Sequence, residues 1–502
     1  MAEANKSSKG NNSKSEIEET KRNIHEPIAP DGGWGWVVLI SSFVHSGIVD
    51  GICLTFGVFM PDFLAYFGGS NAKTQLLSSI INGTYLSLGL VSGALMDRLG
   101  CRRVVIVGGI VSSIGLFLST FSPSLDVMIL LYGVGTGVGF GLLYTPSVVV
   151  VGHYFIKRRA LATGIAVCGS GVGGFVFAPL SVFLIDRYGW KGALWILSAI
   201  SLNSVIFGAF YRPLLPSKVT PISSQIKPET TETDSNSNTR EVDKNSIWKT
   251  FCIFFRTTIN LSLLTSPTFV LYGCSGFLLA IGFYIPFNFL PVFATDIHLS
   301  ADEGAILLSV IGIFNTLSRV LVGLVSDQPW ADCVLINSTA LLVGGLATCF
   351  LPLYNTYSAL LSYSAVFGTA VGSFVALKSI ILVELKGVDW LSKSLGLLNV
   401  VISIPVFIGS PIAGALSDLT ENYNSAFYFA GGTIGLAGLL CFPLRRIARW
   451  ERNRNTDSND SKAADVTVTM TTGRVVEHCS SNTLCSNHME AEKHINHAYN
   501  EA

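Results

Sequence analysis

The sequence is dominated by a succession of apolar segments, each close to the ~20 residues that an α-helix needs to cross a bilayer. Hydrophobic residues make up 49% of the chain and charged residues only 13%, against about 25% charged in a typical soluble protein. The pattern predicts an all-α polytopic membrane protein with twelve transmembrane helices. The segments lie at about 34–59, 75–96, 104–122, 127–151, 161–184, 192–210, 268–294, 304–325, 333–352, 358–383, 395–416 and 425–444.

A polar region divides these segments into two sets of six. The string Gly-Ala-Leu-Met-Asp at 93–97 recurs in related form at 323–327 and 414–418, which indicates internal repetition. Two six-helix repeats are typical of carriers that work by alternating access. The expected domains are an N-terminal tail at 1–30, a six-helix half at 31–211, a linker at 212–262, a second six-helix half at 263–445 and a disordered tail at 446–502.

The basic residues of the short connections predict the orientation, because Lys and Arg concentrate on the cytoplasmic side. With the N-terminus inside, the cytoplasmic connections hold Arg98, Arg102, Arg103, Lys157, Arg158, Arg159, Lys386, Lys393, Arg445, Arg446 and Arg449. The opposite connections hold few basic residues, mainly Lys73, Arg187 and Lys191. We therefore expect both termini in the cytoplasm. The first apolar helix is expected to direct insertion, since we find no cleavable signal peptide before it.

One arginine lies inside an apolar segment. Arg319 falls within 306–325, where an arginine costs roughly 2.5–3.5 kcal/mol on insertion scales. Such a charge is retained where it faces protein, water or a counter-charge, and an anion is the natural ligand of a guanidinium. We therefore expect Arg319 to bind substrate.

Other ionisable residues inside apolar segments are candidates for the wall of the same cavity. His45 and Asp50 lie in the first segment, and Lys378 lies in the tenth. Lys378 could instead extend to the interface or pair with a neighbour. Asp50 could hold a proton, or it could be a structural partner of Arg319 or Lys378. Glu384, near the end of the tenth segment, could equally pair with a basic loop residue.

The stretch 93–103 resembles the signature loop between the second and third helices of the major facilitator superfamily, and it lies at the corresponding place. We expect Gly93 to allow close helix approach, Gly100 to permit a tight turn and Asp97 to cap or pair with a helix end. The other characteristic residues of the stretch are Arg98, Arg102 and Arg103.

Two further strings resemble signatures of the monocarboxylate transporter family. The first opens the first segment and contains Asp31, Gly32, Gly33, Trp34 and Trp36; the second precedes the fifth segment and contains Tyr154, Phe155, Arg158 and Arg159. The resemblance covers about 31–445. It implies the major facilitator fold and a plasma-membrane carrier whose signatures take part in gating.

The chain departs from the proton-coupled members of that family at two positions. Their eighth helix carries an Asp four residues before its Arg, and the corresponding position here is Asn315. Their first-helix Lys corresponds to Leu54. An amide does not take up a proton near neutral pH, and Leu supplies no charge. The resemblance therefore carries over the arginine, with Asn315 beside it in the cavity, and leaves out the proton relay.

We expect a secondary carrier of a small carboxylate-bearing solute, without obligatory lactate–proton symport. The alternatives are a facilitative carrier or exchanger of a zwitterionic or other organic solute, and a non-transporting solute sensor. The expected partners are the solute and the lipid bilayer, with a proton as candidate co-substrate. Some members of the family need a single-span accessory glycoprotein, and no residue here decides that requirement.

Other classes of function lack support in the sequence. The net charge of +0 gives no electrostatic case for nucleic acid. No cofactor, metal site or enzymatic nucleophile–base constellation is expected. The glycines at 169–174 match a dinucleotide pattern, but no strand precedes them, so we expect them to serve helix packing, like the five glycines at 133–141. Residues His478, Cys479, Cys485, His488, His494 and His497 of the tail fit no structural zinc spacing.

Overall fold

The computed structural model describes residues 31–155, 158–212, 261–326, 328, 331–387 and 391–454. All regular structure in these ranges is helical. The expected N-terminal tail, residues 455–502 of the expected C-terminal tail with their histidine and cysteine cluster, and most of the expected linker lie outside the described residues. Residues 446–454, which we expected to be disordered, are helical because they continue the chain beyond the last span as a helix.

The helices before residue 212 form the N-terminal set. They are α1 (Trp34–Leu54), α2 (Phe56–Phe67), α3 (Asn71–Ser87), α4 (Gly89–Leu99), α5 (Cys101–Ser119), α6 (Leu125–Met128), a π-helical stretch (Ile129–Gly135), α7 (Thr136–Tyr154), α8 (Arg159–Leu202) and α9 (Ser204–Ala209).

The helices after residue 260 form the C-terminal set. They are a 3-10 turn (Leu261–Thr265), α10 (Pro267–Phe283), α11 (Ile285–Asp296), α12 (Ala301–Ser326), α13 (Cys333–Phe350), a second 3-10 turn (Leu351–Leu353), α14 (Tyr357–Lys386), α15 (Leu391–Thr420) and α16 (Asn424–Cys441).

All twelve predicted segments are helical. Ten helices in the described residues are long and apolar enough to cross a membrane. One of these, Leu161–Ala209, contains two predicted segments. Gly189 (φ 66°) separates them, because it interrupts the helical conformation inside α8. The segment predicted at 75–96 coincides with α3 and α4, which are more polar than the rest. The prediction of an all-helical polytopic protein is confirmed.

The glycines of α7 bring neighbouring helices into close contact, as predicted. A Cβ built on Gly139 would lie 2.6 Å from Cα of Ser112 on α5, and one on Gly141 would lie 2.7 Å from Cβ of Leu88. Any side chain here would force these helices apart. The repeated glycines therefore act in helix packing.

The signature loop behaves only partly as expected. Gly100 ends α4 and precedes α5 with φ 82°, so the predicted tight turn is confirmed. Gly93 does not mediate a close approach, because no described atom lies within 4 Å of the position that its Cβ would occupy. The face of α4 that carries Gly93 thus has open space at this position in the part of the chain that the structure describes. The side chain of Asp97 is not among those that the structure describes, so its capping or pairing role stays a prediction.

The two sets meet through three close helix pairs: α3 with α15, α8 with α12, and α2 with α11. Small residues permit these contacts. A Cβ on Gly57 of α2 would lie 2.7 Å from the Asn288 carbonyl oxygen on α11, and one on Gly414 of α15 would lie 2.8 Å from Cα of Ala72 on α3. The backbones of the two sets therefore touch directly.

A polar network joins the sets at the end of the bundle where α2 ends and α3 begins, which we call the closed end. Asn288 of α11 is fully buried. Its amide nitrogen donates to Gln75 Oε1 (2.8 Å) on α3 and to Ser410 Oγ (3.2 Å) on α15, and its Oδ1 accepts from Ser78 Oγ (3.1 Å). This amide group bridges both sets.

A carboxylate adds a second bridge at the closed end. Asp418 near the end of α15 accepts two backbone N–H groups at the start of α3, from Asn71 to Oδ1 and from Ala72 to Oδ2, each at 3.0 Å. The first N–H groups of a helix have no partner within it and carry partial positive charge, so an anion stabilises them. Asp418 thus binds the N-terminus of a helix in the opposite set.

We predict that Asp418→Ala loosens the closed end, because hydrogen bonds to a charged group contribute about 1.5–3 kcal/mol. Hydrogen–deuterium exchange of the backbone amides at 284–296 should become faster in the full-length protein. The matched control is Asp126→Ala, which removes an ion pair with Lys73 (2.9 Å) inside the N-terminal set. Equal exchange in the two variants would contradict a role for Asp418 in joining the sets.

Candidate functional site

Arg319 lies where α12 of the C-terminal set faces α8 of the N-terminal set. Its Nη1 donates to the backbone carbonyl of Val167 at 2.6 Å. The side chain is half-buried, and its Nε has no hydrogen-bond partner. None of the ion pairs within 4.0 Å among the described residues includes Arg319. A guanidinium that retains an unused donor inside a membrane protein is suited to bind an anion.

Small residues on α8 and α12 make this contact possible. A Cβ on Gly171 would overlap the Thr316 side chain and lie 2.8 Å from the Gly312 carbonyl oxygen, and a Cβ on Gly312 would lie 2.7 Å from the Phe175 amide nitrogen. The neighbouring Gly169 and Gly173 make similar contacts with α1. The glycine string predicted to serve packing therefore holds α8 between the first helix and the arginine-bearing helix.

Asp50 of α1 is the acidic group of the site. It is 8% exposed, and its Oδ1 accepts a hydrogen bond from Tyr85 Oη at 3.2 Å. Arg319 and Ser170 also act on its carboxylate. Asp50 and Arg319 form no ion pair, since their charged atoms are more than 4.0 Å apart. Two opposite charges thus belong to different sets and interact without direct contact.

Three tyrosines surround Asp50. Tyr85 and Tyr144, from the N-terminal set, have ring centroids 5.8 Å apart in an edge-to-face arrangement. Both Asp50 and Arg319 act electrostatically on the Tyr144 hydroxyl, and Asp50 also acts on Tyr284 of the C-terminal set. The carboxylate therefore lies among aromatic side chains from both sets.

Asn315 lies one turn before Arg319 on α12. It is 4% exposed, and its Oδ1 has no hydrogen-bond partner. An unsatisfied buried amide oxygen costs about 1–3 kcal/mol unless a ligand or water binds it. Leu54, the other departure from the proton-coupled pattern, packs against the apolar cluster that contains Tyr284 and Val406.

Lys378 of α14 is the second cation. Its Nζ donates to Asn399 Oδ1 at 3.0 Å, it is half-buried, and Arg319 repels its charge. Lys378 therefore lies near the arginine. Glu384, the other ionisable residue of the tenth segment, accepts from Arg445 Nη2 at 2.8 Å, which matches the interpretation that it pairs with a basic residue.

His45 has different neighbours. It is fully buried, its Nδ1 lies 2.8 Å from Tyr211 Oη, and its Nε2 lies 3.0 Å from the Ser204 carbonyl oxygen. Both ring nitrogens are engaged with the segment at the end of the N-terminal set. These contacts give His45 a structural explanation, so we leave it outside the proposed site.

The two family-like signature strings are joined in space. The Asp31 amide nitrogen donates to the Tyr154 carbonyl oxygen at 3.1 Å, and the rings of Trp36 and Phe155 meet edge to face at 5.4 Å. Gly33 adopts φ 54°, a conformation that favours glycine. The start of α1 and the end of α7 thus form one cluster, and the Gly32 carbonyl accepts the Gly35 amide at 2.9 Å where α1 begins.

The same cluster includes the end of the N-terminal set. Trp34 Nε1 donates to the Phe210 carbonyl oxygen at 2.9 Å, and the Arg212 guanidinium lies 3.7 Å from the centre of the Trp34 ring. Tyr154 Oη donates to the Arg212 carbonyl oxygen at 2.6 Å.

The signatures also contain basic candidate residues. Four of them are exposed, namely Arg98, Arg102, Arg103 and Arg158, and the side chain of Arg159 is not among the described ones.

The described residues contain no group of three or more His, Cys, Asp or Glu side chains that could hold a metal ion. The glycines at 169–174 lie inside helix α8, which is incompatible with the strand–turn–helix of a dinucleotide site.

The Major Facilitator Superfamily family model matches residues 38–385 and 272–481. Monocarboxylate transporter 12 of Xenopus laevis is 32% identical over 438 residues, which cover 86% of this chain and 93% of that protein. Monocarboxylate transporter 2 of Mus musculus is 32% identical over 419 residues, covering 82% and 84%. This chain belongs to the monocarboxylate transporter family of the major facilitator superfamily.

A solved structure agrees with the fold. A bacterial homologue of the human lysosomal transporter Spinster, in an inward-facing and unoccupied conformation, superimposes with a TM-score of 0.61. The match covers 84% of this chain and 99% of the other at 15% sequence identity. The likeness shows the major facilitator fold, and this transporter-family member is a multi-pass membrane protein.

Sequence reasoning missed the tyrosines and the Asn288 network. Tyr85, Tyr144 and Tyr284 lie within apolar segments, whereas tyrosine in membrane helices concentrates at the interface. A tyrosine inside a predicted span needs a partner for its hydroxyl. The need of each tyrosine hydroxyl for a hydrogen-bond partner could have marked these residues in the sequence. It does not identify the partner of each hydroxyl.

We predict that Gly171→Ala is more damaging than Gly174→Ala, although both lie on α8. A Cβ on Gly174 would have no neighbour closer than 3.9 Å, whereas one on Gly171 would overlap Thr316. Overpacking costs typically about 1–3 kcal/mol. Thermal unfolding of the detergent-purified protein should therefore show a lower Tm for Gly171→Ala alone. Similar Tm values for the two variants would show that the α8–α12 contact tolerates separation.

Proposed function

We propose that this chain is a plasma-membrane secondary carrier that moves a small carboxylate-bearing solute by alternating access. Arg319 is its carboxylate anchor. The observation that carries the proposal is the buried, unpartnered Nε of Arg319 between the two helix sets. The Val167 carbonyl occupies Nη1, which leaves the rest of a planar donor group for a carboxylate.

Two neighbours complete the anchor in this proposal. The unpartnered Oδ1 of Asn315 accepts a donor group of the solute or a bound water. The ammonium of Lys378 adds a second positive charge near Arg319. Asp50 supplies the opposite charge across the site. The names of the similar monocarboxylate transporters support a carboxylate as the recognised group.

The proposed halves are residues 31–211 and 263–445, with both termini in the cytoplasm. Alternating access requires two halves that rock about a site between them. The few polar bridges at the closed end support such movement, since each contributes only about 0.5–3 kcal/mol. The cluster of Trp34, Trp36, Tyr154 and Phe155 is proposed to couple α1 to α7 during gating.

We predict that Arg319→Gln lowers uptake of the carboxylate substrate about 10- to 100-fold, because it removes charge-assisted hydrogen bonds. Uptake is measured in vesicles containing the purified full-length protein, after surface delivery is quantified in cells. The matched control is Arg187→Gln, an exposed arginine of α8, which should leave uptake unchanged. Normal uptake by Arg319→Gln would refute the anchor, and binding without net flux would identify a sensor.

We predict that solute entry does not acidify the cytoplasm. Proton coupling needs a group in the site that changes its protonation state. Asn315 and Leu54 stand at the two family positions that serve this purpose, and in this proposal Asp50 stays ionised as the opposite charge of the site. The measurement is intracellular pH, recorded with a fluorescent indicator while substrate is added to expressing cells. Acidification that follows uptake and disappears in Arg319→Gln would contradict facilitated or exchange transport.

A further inference from the structure

The site holds a buried carboxylate for which a simple monocarboxylate has no use. Asp50 is 8% exposed, and its carboxylate interacts with the neutral hydroxyls of Tyr85 and Ser170. Arg319 attracts it from beyond 4.0 Å. An ionised carboxylate in such a place is costly unless it is paired. An incoming anion would be repelled by Asp50 while it approached Arg319.

The surroundings of Asp50 suit a cation. Tyr85 donates a hydrogen bond to it, and Tyr144 and Tyr284 interact with it electrostatically. The apolar side chain of Leu54 packs against the cluster that contains Tyr284 and adds no positive charge. Aromatic faces attract ammonium and guanidinium groups, most strongly where water is excluded. The side chains near Asp50 thus combine one negative charge with rings from both helix sets.

The charges of the site also match a solute of both signs. A carboxylate placed at Arg319 is close to Lys378 and to the unpartnered amide oxygen of Asn315. A positive group at the other end of the same molecule would reach Asp50. Each charged side chain would then gain a counter-charge. With a monocarboxylate, Asp50 would keep its contacts with the neutral tyrosine and serine hydroxyls, and its only positive partner among the described residues would be the distant Arg319.

We propose that the solute of this carrier is a zwitterion, whose carboxylate binds Arg319 and whose ammonium or guanidinium group binds Asp50 among Tyr85, Tyr144 and Tyr284. The proposal rests on the carboxylate anchor proposed above. It assigns Asp50 as the residue that distinguishes zwitterions from simple carboxylates. In this proposal the solute bridges Asp50 and Arg319, which lie more than 4.0 Å apart.

The test uses matched radiolabelled solutes and vesicles containing the full-length protein. One series runs from acetate to pentanoate, and the other contains the corresponding ω-amino acids from glycine to 5-aminopentanoate, with 4-guanidinobutyrate added. At least one zwitterion should enter about 10-fold or more faster than its matched carboxylate. Asp50→Asn should reduce that uptake about 10- to 100-fold and abolish the preference, since a charge-assisted contact is lost.

Two variants keep the result interpretable. Asp50→Glu retains the negative charge and should keep a preference for zwitterions, with an optimum at a different chain length. Asp186→Asn changes an exposed carboxyl group of α8 and should leave both series unchanged. Retained carboxylate uptake by Asp50→Asn shows that the variant is folded.

The outcomes separate this inference from the proposed function. If carboxylates enter in an Arg319-dependent way and amino groups give no advantage, the zwitterion inference is wrong and the anchor stands. An advantage that persists in Asp50→Asn also refutes the role of Asp50. If no member of either series enters in an Arg319-dependent way, both proposals fail for these solutes.

Discussion

The structure depends on compensating the charge of one arginine inside a membrane. Arg319 costs roughly 2.5–3.5 kcal/mol at the centre of a helix that faces lipid. Its Nη1 donates to the Val167 carbonyl on the opposite helix set, so this compensation exists only while α8 and α12 touch. The glycines at 171 and 312 permit that contact. The burial of the Arg319 charge and the packing of α8 against α12 therefore depend on the same glycines.

Few polar groups join the two sets. They meet through close backbone contacts at Gly57 and Gly414 and through apolar packing such as that of Phe407 against α3, and the polar bridges at the closed end are those of Asn288 and Asp418. A neutral hydrogen bond contributes about 0.5–1.5 kcal/mol net. Contacts of this size hold one arrangement and still allow a solute to favour another, because the difference between two states of a carrier is a few kcal/mol.

The sequence predicted what depends on local properties of the chain. The length and polarity of each segment predicted the helices, and the membrane penalty of Arg319 predicted its importance. The penalty argument applied equally to His45, whose ring nitrogens are engaged by Tyr211 and Ser204. Which helix faces meet decides between these roles, and a single sequence does not contain that information. The expectation for Gly93 failed for a related reason: close approach at a glycine depends on which neighbour is present.

Anchoring and coupling are separate properties of such a site. The anchor needs a guanidinium held by a carbonyl, and Arg319 with Val167 meets that need without a nearby acid. Coupling needs a group whose charge changes, and at the positions where the proton-coupled relatives have Asp and Lys this chain has a neutral amide and an apolar side chain. The charges that accompany Arg319 here lie on other helices, Asp50 on α1 and Lys378 on α14. An acid placed across the site from the anchor selects the charge of the solute, whereas an acid beside the anchor on α12 would compete with it. In the proposed site, the position of Asp50 across from Arg319 favours recognition of a second group on the solute over uptake of a proton.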